Sequence, residues 1–311
     1  MRNFLTNVVL ATDGSEESDL AARAAADLCD RTGADLHVVH AWDRTPAAFP
    51  VPVRVLRSRL PREEAAGLLE SQLERIRAGG GVVKEAHLRR GPAAREIAAL
   101  AGELDADLVV LGTRGTGAME RLMLGSVSEE VARISPCSTL VVAGGEGAWP
   151  PRRVVVGDDL SGEAERAGEL AARIGGLFGA SGLLVLGFPS PASFAHAEAF
   201  AVASRARVSE SMFGVGGELL RERAVRLEEM LRERPGIKVC AGDAAELILE
   251  AAGEDGGPGL VAVGSRGLDA LRRLALGSVS TAVLRTARGP VLIFPSAARD
   301  EHHRNGRSAA G

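Results

Sequence analysis

Short apolar runs alternate with longer amphipathic stretches along the chain. Asn7 to Ala11 (NVVLA) is too short for a helix and too continuously apolar for a half-exposed strand, so it predicts a strand buried on both faces. Thr12-Asp13-Gly14-Ser15 follows as a turn, and Asp13 or Ser15 is placed to cap a helix whose first turn carries Glu16 and Glu17. That helix is expected to run to about Arg31 and stop at Gly33. Further strands are predicted over Ala34–Ala41, Val82–Leu88, Asp107–Leu111 and Ser138–Val142. Between them, Arg62–Arg77 carries a Leu68, Leu69, Leu73, Ile76 stripe, a helix follows Gly91-Pro92, and Val127–Ile134 forms another. Strict alternation of strand and helix implies right-handed crossovers and a mostly parallel sheet with helices on both faces. The segment Trp42–Pro61, with Pro46, Pro50 and Pro52, is long for a connection and suits a lid or partner surface.

The pattern then restarts. After the Gly- and Pro-rich stretch AGGEGAWPP come predicted strands at Arg153–Val156, Gly182–Leu186, Ile237–Ala241, Leu260–Val263 and Pro290–Phe294. Helices are expected from Glu163, over Glu218–Arg234 and over Ala244–Ala252, with Phe188 to about Gly217 irregular and partly helical. Asp159 follows Asp13 by 146 positions, Gly179 follows Gly33 by 146, Gly242 follows Gly91 by 151 and Gly277 follows Gly125 by 152. An offset that grows this slowly marks one duplicated unit with small insertions. The expected organisation is a first domain over 1–143, a linker over 144–151, a second domain over 152–296 and a disordered tail over 297–311.

The duplication is sharpest in two glycine patterns. Val109–Ser128 (VVLGTRGTGAMERLMLGSVS) leaves a strand and places Gly112, Gly115 and Gly125-Ser126 at fixed intervals. Val261–Ser280 (VAVGSRGLDALRRLALGSVS) repeats the intervals with Gly264, Gly267 and Gly277-Ser278. In an open α/β sheet, ligands bind beyond the carboxyl ends of the strands where strand order reverses. Glycines there let the backbone approach a ligand, and a helix beginning at Gly-Ser presents free N–H groups and a favourable dipole to an anion such as phosphate. Ser126 and Ser128 add hydroxyl donors, and Asp13 is placed to hold a ribose hydroxyl or a phosphate-bound metal ion. Backbone near His40 and Ala41 could read an adenine edge. Neither copy is a Walker loop, which needs a Gly-Lys-[Ser/Thr] lysine, and neither follows the first strand as a Rossmann fingerprint does.

Composition narrows the function classes. A net charge of -4 and a pI near 6.0 give no electrostatic reason to expect nucleic acid or an anionic membrane as partner. No apolar run reaches the roughly 18 residues of a membrane span, and the start has too short an apolar segment for a secretory signal, so a cytoplasmic location is expected. Cys29, Cys137 and Cys240 fit no zinc or disulfide spacing and read as small buried hydrophobes. His37 and His40, three apart on a strand, point to opposite faces and do not chelate one ion between them, so no metal held by protein ligands alone is expected. No Ser/His/Asp set recurs in both halves.

The spacing G-x2-G-x9-G-[ST], present in both halves, with the strand-Asp-Gly-Ser start and the Gly-Pro before the third helix of the first half, resembles the universal stress protein family, as a tandem of two such domains across nearly the whole chain. The resemblance implies two doubly wound five-stranded parallel-sheet domains, Rossmann-like, in tandem. The family subgroup that keeps this motif binds ATP. For the first domain that implies ATP contact by Asp13, Ala41, Gly112, Gly115, Gly125, Ser126 and Val127, with Mg possible on the phosphates near Asp13. For the second it implies Asp159, Gly187, Gly264, Gly267, Gly277, Ser278 and Val279. The second domain departs at Leu160, where the first has Gly14, and at Gly187-Phe188. The expected function is a nucleotide-responsive stress-response module with ATP or ADP and an unidentified protein as partners, rather than a metabolic enzyme. The alternatives are a slow ATPase, a phosphoryl- or adenylyl-transfer enzyme, and a scaffold that has lost nucleotide use in its second domain. The resemblance also implies an intramolecular pseudo-dimer whose final strands pair, and a further homodimer is compatible with it.

Overall fold

A computed structural model of the chain describes residues 4–42, 62–113, 125–144, 147–188, 199–253, 259–265 and 276–296. The first repeat comprises β1 (Asn7–Ala11), α1 (Glu16–Thr32), β2 (Asp35–Trp42), α2 (Arg62–Ala78), β3 (Glu85–Arg90), α3 (Ala93–Glu103), β4 (Leu108–Gly112), α4 (Ser126–Ile134) and β5 (Ser138–Val142). The second comprises β6 (Arg153–Gly157), α5 (Gly162–Phe178), β7 (Ser181–Phe188), α6 (Ala199–Leu231), β8 (Gly236–Ala241), α7 (Ala244–Gly253), β9 (Leu260–Gly264), α8 (Ser278–Thr286) and β10 (Val291–Phe294).

The ten strands among the described residues form one sheet in the order β3-β2-β1-β4-β5-β10-β9-β6-β7-β8. Pairing is parallel within each repeat and antiparallel where β5 meets β10. At that seam Leu140 lies opposite Leu292. Leu292 follows Leu140 by 152 positions, the offset that also relates Gly277 to Gly125, so the pseudo-two-fold axis passes through this pair. The expected pairing of the final strands is therefore present. Strands rich in Val, Leu and Ile bury both faces. One face packs under α1, α2, α5 and α6, the other under α3, α4, α7 and α8, and each apolar layer runs through both repeats.

Contacts across the seam hold the halves together on both faces. Arg285 of α8 pairs with Glu129 of α4 at 2.8 Å. On the other face Arg31 donates to the Leu177 carbonyl (2.9 Å) and lies 4.6 Å from the Phe178 ring centroid. Trp149 of the linker meets Phe178 edge-on and donates its indole N–H to Asp27 at 2.9 Å.

Two elements differ from the sequence expectation. The third strand begins at Glu85 rather than Val82, because β3 is an edge strand whose pairing with β2 starts at Glu85 opposite His37 and leaves Val82 in solvent. The segment from Phe188 to about Gly217, expected to be irregular and partly helical, is helical from Ala199 and continuous with the following helix as far as Leu231. Small residues and Gly214, Gly216 and Gly217 masked its period. The Trp42–Pro61 loop beyond Trp42 and the 297–311 tail lie outside the described residues.

Candidate functional site

In the first repeat β1 leads away to β2 on one side, while β4 lies on its other side. The strand order reverses between β1 and β4, and their carboxyl ends open the crevice where such sheets bind ligands. Ala11 is level with Leu111, which sets Asp13, just past β1, beside Thr113, just past β4. The corresponding crevice in the second repeat lies between β6 and β9, with Gly157 level with Val263.

Asp13 is held by the start of α1. Its Oδ1 accepts from the Ser15 amide (3.1 Å), the Ser15 hydroxyl (2.6 Å) and the Ser18 hydroxyl (2.7 Å). Ser15 is the helix cap, accepting from the Ser18 amide. Gly14 makes the turn with φ of +75°, in the left-handed region that suits glycine. In the second repeat Ser161 caps α5 and its amide donates to Asp159 Oδ1 at 3.0 Å. Ala164 stands where the first repeat has Ser18, so one hydroxyl donor to the aspartate is missing. Leu160 occupies the Gly14 place with φ of +69°, a conformation that costs a branched side chain about 1–2 kcal/mol.

The glycine motifs are pinned identically in both halves. The Gly125 amide donates to the Thr113 carbonyl at 2.7 Å, and the Gly277 amide to the Ser265 carbonyl at 2.7 Å. The Ser128 hydroxyl donates to the Gly112 carbonyl (2.9 Å), and that of Ser280 to the Gly264 carbonyl (2.6 Å). Ser128 and its counterpart Ser280 are buried, so the expectation that Ser128 offers its hydroxyl to an anion gives way to a positioning role. Each serine ties a helix start to a strand end. Gly125 and Gly277 are the N-caps of α4 and α8 and supply no side-chain acceptor, so the first-turn N–H groups receive no side-chain cap. Ser126, Val127 and Ser278 are exposed there, and Val279 is half-buried. Gly115 and Gly267 lie outside the described residues, as do Arg114 and Arg266.

Ala41 sits at the end of β2, half-buried and level with Arg89 of β3. Its counterpart Gly187 has a packing reason to be glycine: a β-carbon there would stand 2.9 Å from the Ala244 Cα at the start of α7.

One pair beneath the aspartates escaped the sequence reading. Thr12 donates its hydroxyl to Gln72 Oε1 at 3.0 Å in the first repeat. The same two places hold Asp158 and Arg223 in the second, where Arg223 contacts Asp158 Oδ1 and also donates to the carbonyls of Leu160 (2.9 Å) and Ser161 (3.1 Å). The Asp158 side chain is 1% exposed, and burial pushes its carboxyl above the usual carboxylate range against the opposing pull of Arg223. Thr12 and Gln72 gave no sequence signal, because neutral hydrogen-bonding residues carry no motif, and the offset of 151 between Gln72 and Arg223 becomes informative only once the fold is known.

The model of the family described as the universal stress protein family matches residues 5–143 and again 151–295. The chain belongs to the universal stress protein family. A universal stress protein of Thermus aquaticus is 38% identical over 138 residues, 43% of this chain and 96% of its own length. One of Methanocaldococcus jannaschii is 32% identical over 142 residues, covering 45% of this chain and 83% of the relative. Among solved structures, a universal stress protein from Archaeoglobus fulgidus superposes with a TM-score of 0.64 at 21% identity, covering 95% of this chain and 98% of the other. A Pseudomonas aeruginosa protein described as functionally unknown gives 0.69 at 15% identity, with 98% of each chain covered. These two likenesses extend over both universal stress protein repeats and support the tandem fold. Among the described residues no helix is long and apolar enough to cross a membrane.

Proposed function

We propose that this universal stress protein is a nucleotide-responsive module that binds ATP at the β1/β4 crevice of its first repeat, and a partner protein reads its occupancy. The observation that carries this reading is the duplicated, identically pinned helix start. In each repeat a glycine amide and a buried serine hydroxyl fix an uncapped helix N-terminus against the end of the fourth strand of its repeat, as an anion site requires. Asp13 beside it supplies a fixed carboxylate for a ribose hydroxyl or for magnesium on the phosphates. Gly112, Gly115, Gly125, Ser126 and Val127 would face the phosphates, and Ala41 the base. The second repeat keeps the helix start but carries Leu160, Ala164 and Gly187 around it, so its pocket binds ATP more weakly or not at all.

Calorimetry with MgATP on the intact chain tests this. Replacing Gly125 by Leu should weaken the tighter site roughly tenfold or more, the equivalent of one lost hydrogen bond to a charged phosphate. Gly277→Leu should leave that site intact. Equal affinity in the parent, both single variants and the double variant would remove the reading.

A further inference from the structure

His37, Glu85 and His87 converge at the outer edge of the first repeat. His37 and Glu85 are register partners on adjacent strands, and His87 lies two residues beyond Glu85 on the same face. His37 Nδ1 stands 3.2 Å from His87 Nε2, and His87 Nε2 stands 3.9 Å from Glu85 Oε2. One ligand atom from each of the three falls within 4.8 Å of the others.

We propose that His37, Glu85 and His87 form a divalent transition-metal site of the zinc class, with its remaining position open to solvent. Zinc–imidazole bonds of 2.0–2.1 Å at a tetrahedral angle put two ligand nitrogens about 3.3 Å apart, close to the separation of the two rings here. Two imidazoles and one carboxylate are a donor set that zinc accepts, and three protein ligands leave a place for water. Glu85 is 62% exposed and gives an ion a way in from solvent at the edge strand.

The duplication supplies an internal comparison. In the second repeat Leu183, Gly236 and Lys238 take the places of His37, Glu85 and His87, with Leu183 the register partner of Gly236. The fold is built equally well with leucine, glycine and lysine there, so the three ligands are not needed to make the sheet. His37 and His40 of one strand point to opposite faces, and the second histidine comes instead from the neighbouring strand. The site sits toward the amino ends of the strands and is separate from the crevice at their carboxyl ends.

The test is zinc titration by calorimetry into the full-length chain carrying His302→Ala and His303→Ala, which removes the adjacent tail histidines as competing ligands. One zinc per chain is expected, with cobalt(II) giving an intense tetrahedral visible spectrum. His87→Gln and the surface change Glu85→Gln should each weaken zinc binding roughly tenfold or more and reduce the cobalt band. Circular dichroism checks the fold, and Glu85→Gln alone decides if the His87 variant unfolds. Absence of zinc uptake, or binding unchanged in Glu85→Gln, overturns the proposal.

Discussion

Replacing Arg223 by Ala should be among the most damaging single changes in the second repeat, and its effect should depend on pH. Arg223 is the charged partner of Asp158, whose side chain is 1% exposed and whose Oδ2 has no hydrogen-bond partner among the described residues. Taking away the guanidinium leaves a buried carboxylate without its countercharge, which costs about 3–5 kcal/mol. At about 2–4 °C per kcal/mol, Tm should fall by roughly 6–20 °C. Burial already raises the Asp158 carboxyl, and losing the Arg223 hydrogen bond and charge raises it further. The folded state then holds that proton more tightly than the unfolded chain does. Stability from this group is fully present below the unfolded carboxylate value of about 3.9 and is lost as pH climbs through the higher folded value. The deficit of Arg223→Ala should therefore be smaller near pH 4 than near pH 7. Asp158→Thr with Arg223→Gln installs the pair found at Thr12 and Gln72 and should restore most of the loss. Urea and thermal melts followed by circular dichroism at both pH values measure all of this. A deficit under about 1 kcal/mol, or one equal at both pH values, would refute the assignment of a buried charge.

Other changes test the packing. Gly176→Ala puts a β-carbon onto the Met230 carbonyl where α5 crosses α6, and should destabilise by about 1–3 kcal/mol despite the better helix propensity of alanine. Gly102→Ala in α3 meets nothing within 4 Å among the described residues and should instead stabilise by about 0.5–1 kcal/mol; urea midpoints of the two variants should move in opposite directions. Trp149→Phe keeps the ring against Phe178 but deletes the N–H to Asp27, and should cost about 1.5–3 kcal/mol in the same melts.

The sequence carried the fold because its signals were local and occurred twice. Apolar runs such as NVVLA, caps such as Ser15 and Ser161, and the stop at Gly33 need no tertiary information, and the constant offset between repeats turned them into a domain arrangement. The edge strand was misplaced because Val82 and Val83 are apolar without being paired, and only the partner strand sets where pairing begins. At the site, motif spacing placed Asp13, Gly112 and Gly125 around one crevice, but it could not say how hydroxyls are used. Ser128 looks like a donor to a ligand in sequence and is a tie to Gly112 in space. The Asp158–Arg223 pair and the His37–His87 contact join residues 65 and 50 positions apart and leave no local trace.

The most direct test of the central claim is mass spectrometry of small molecules released from the purified chain, followed by calorimetric titration of the stripped protein with MgATP. ATP or ADP is expected at one or two per chain, with a saturable site that Gly125→Leu weakens. A chain that releases no nucleotide and shows no saturable uptake of MgATP would contradict it.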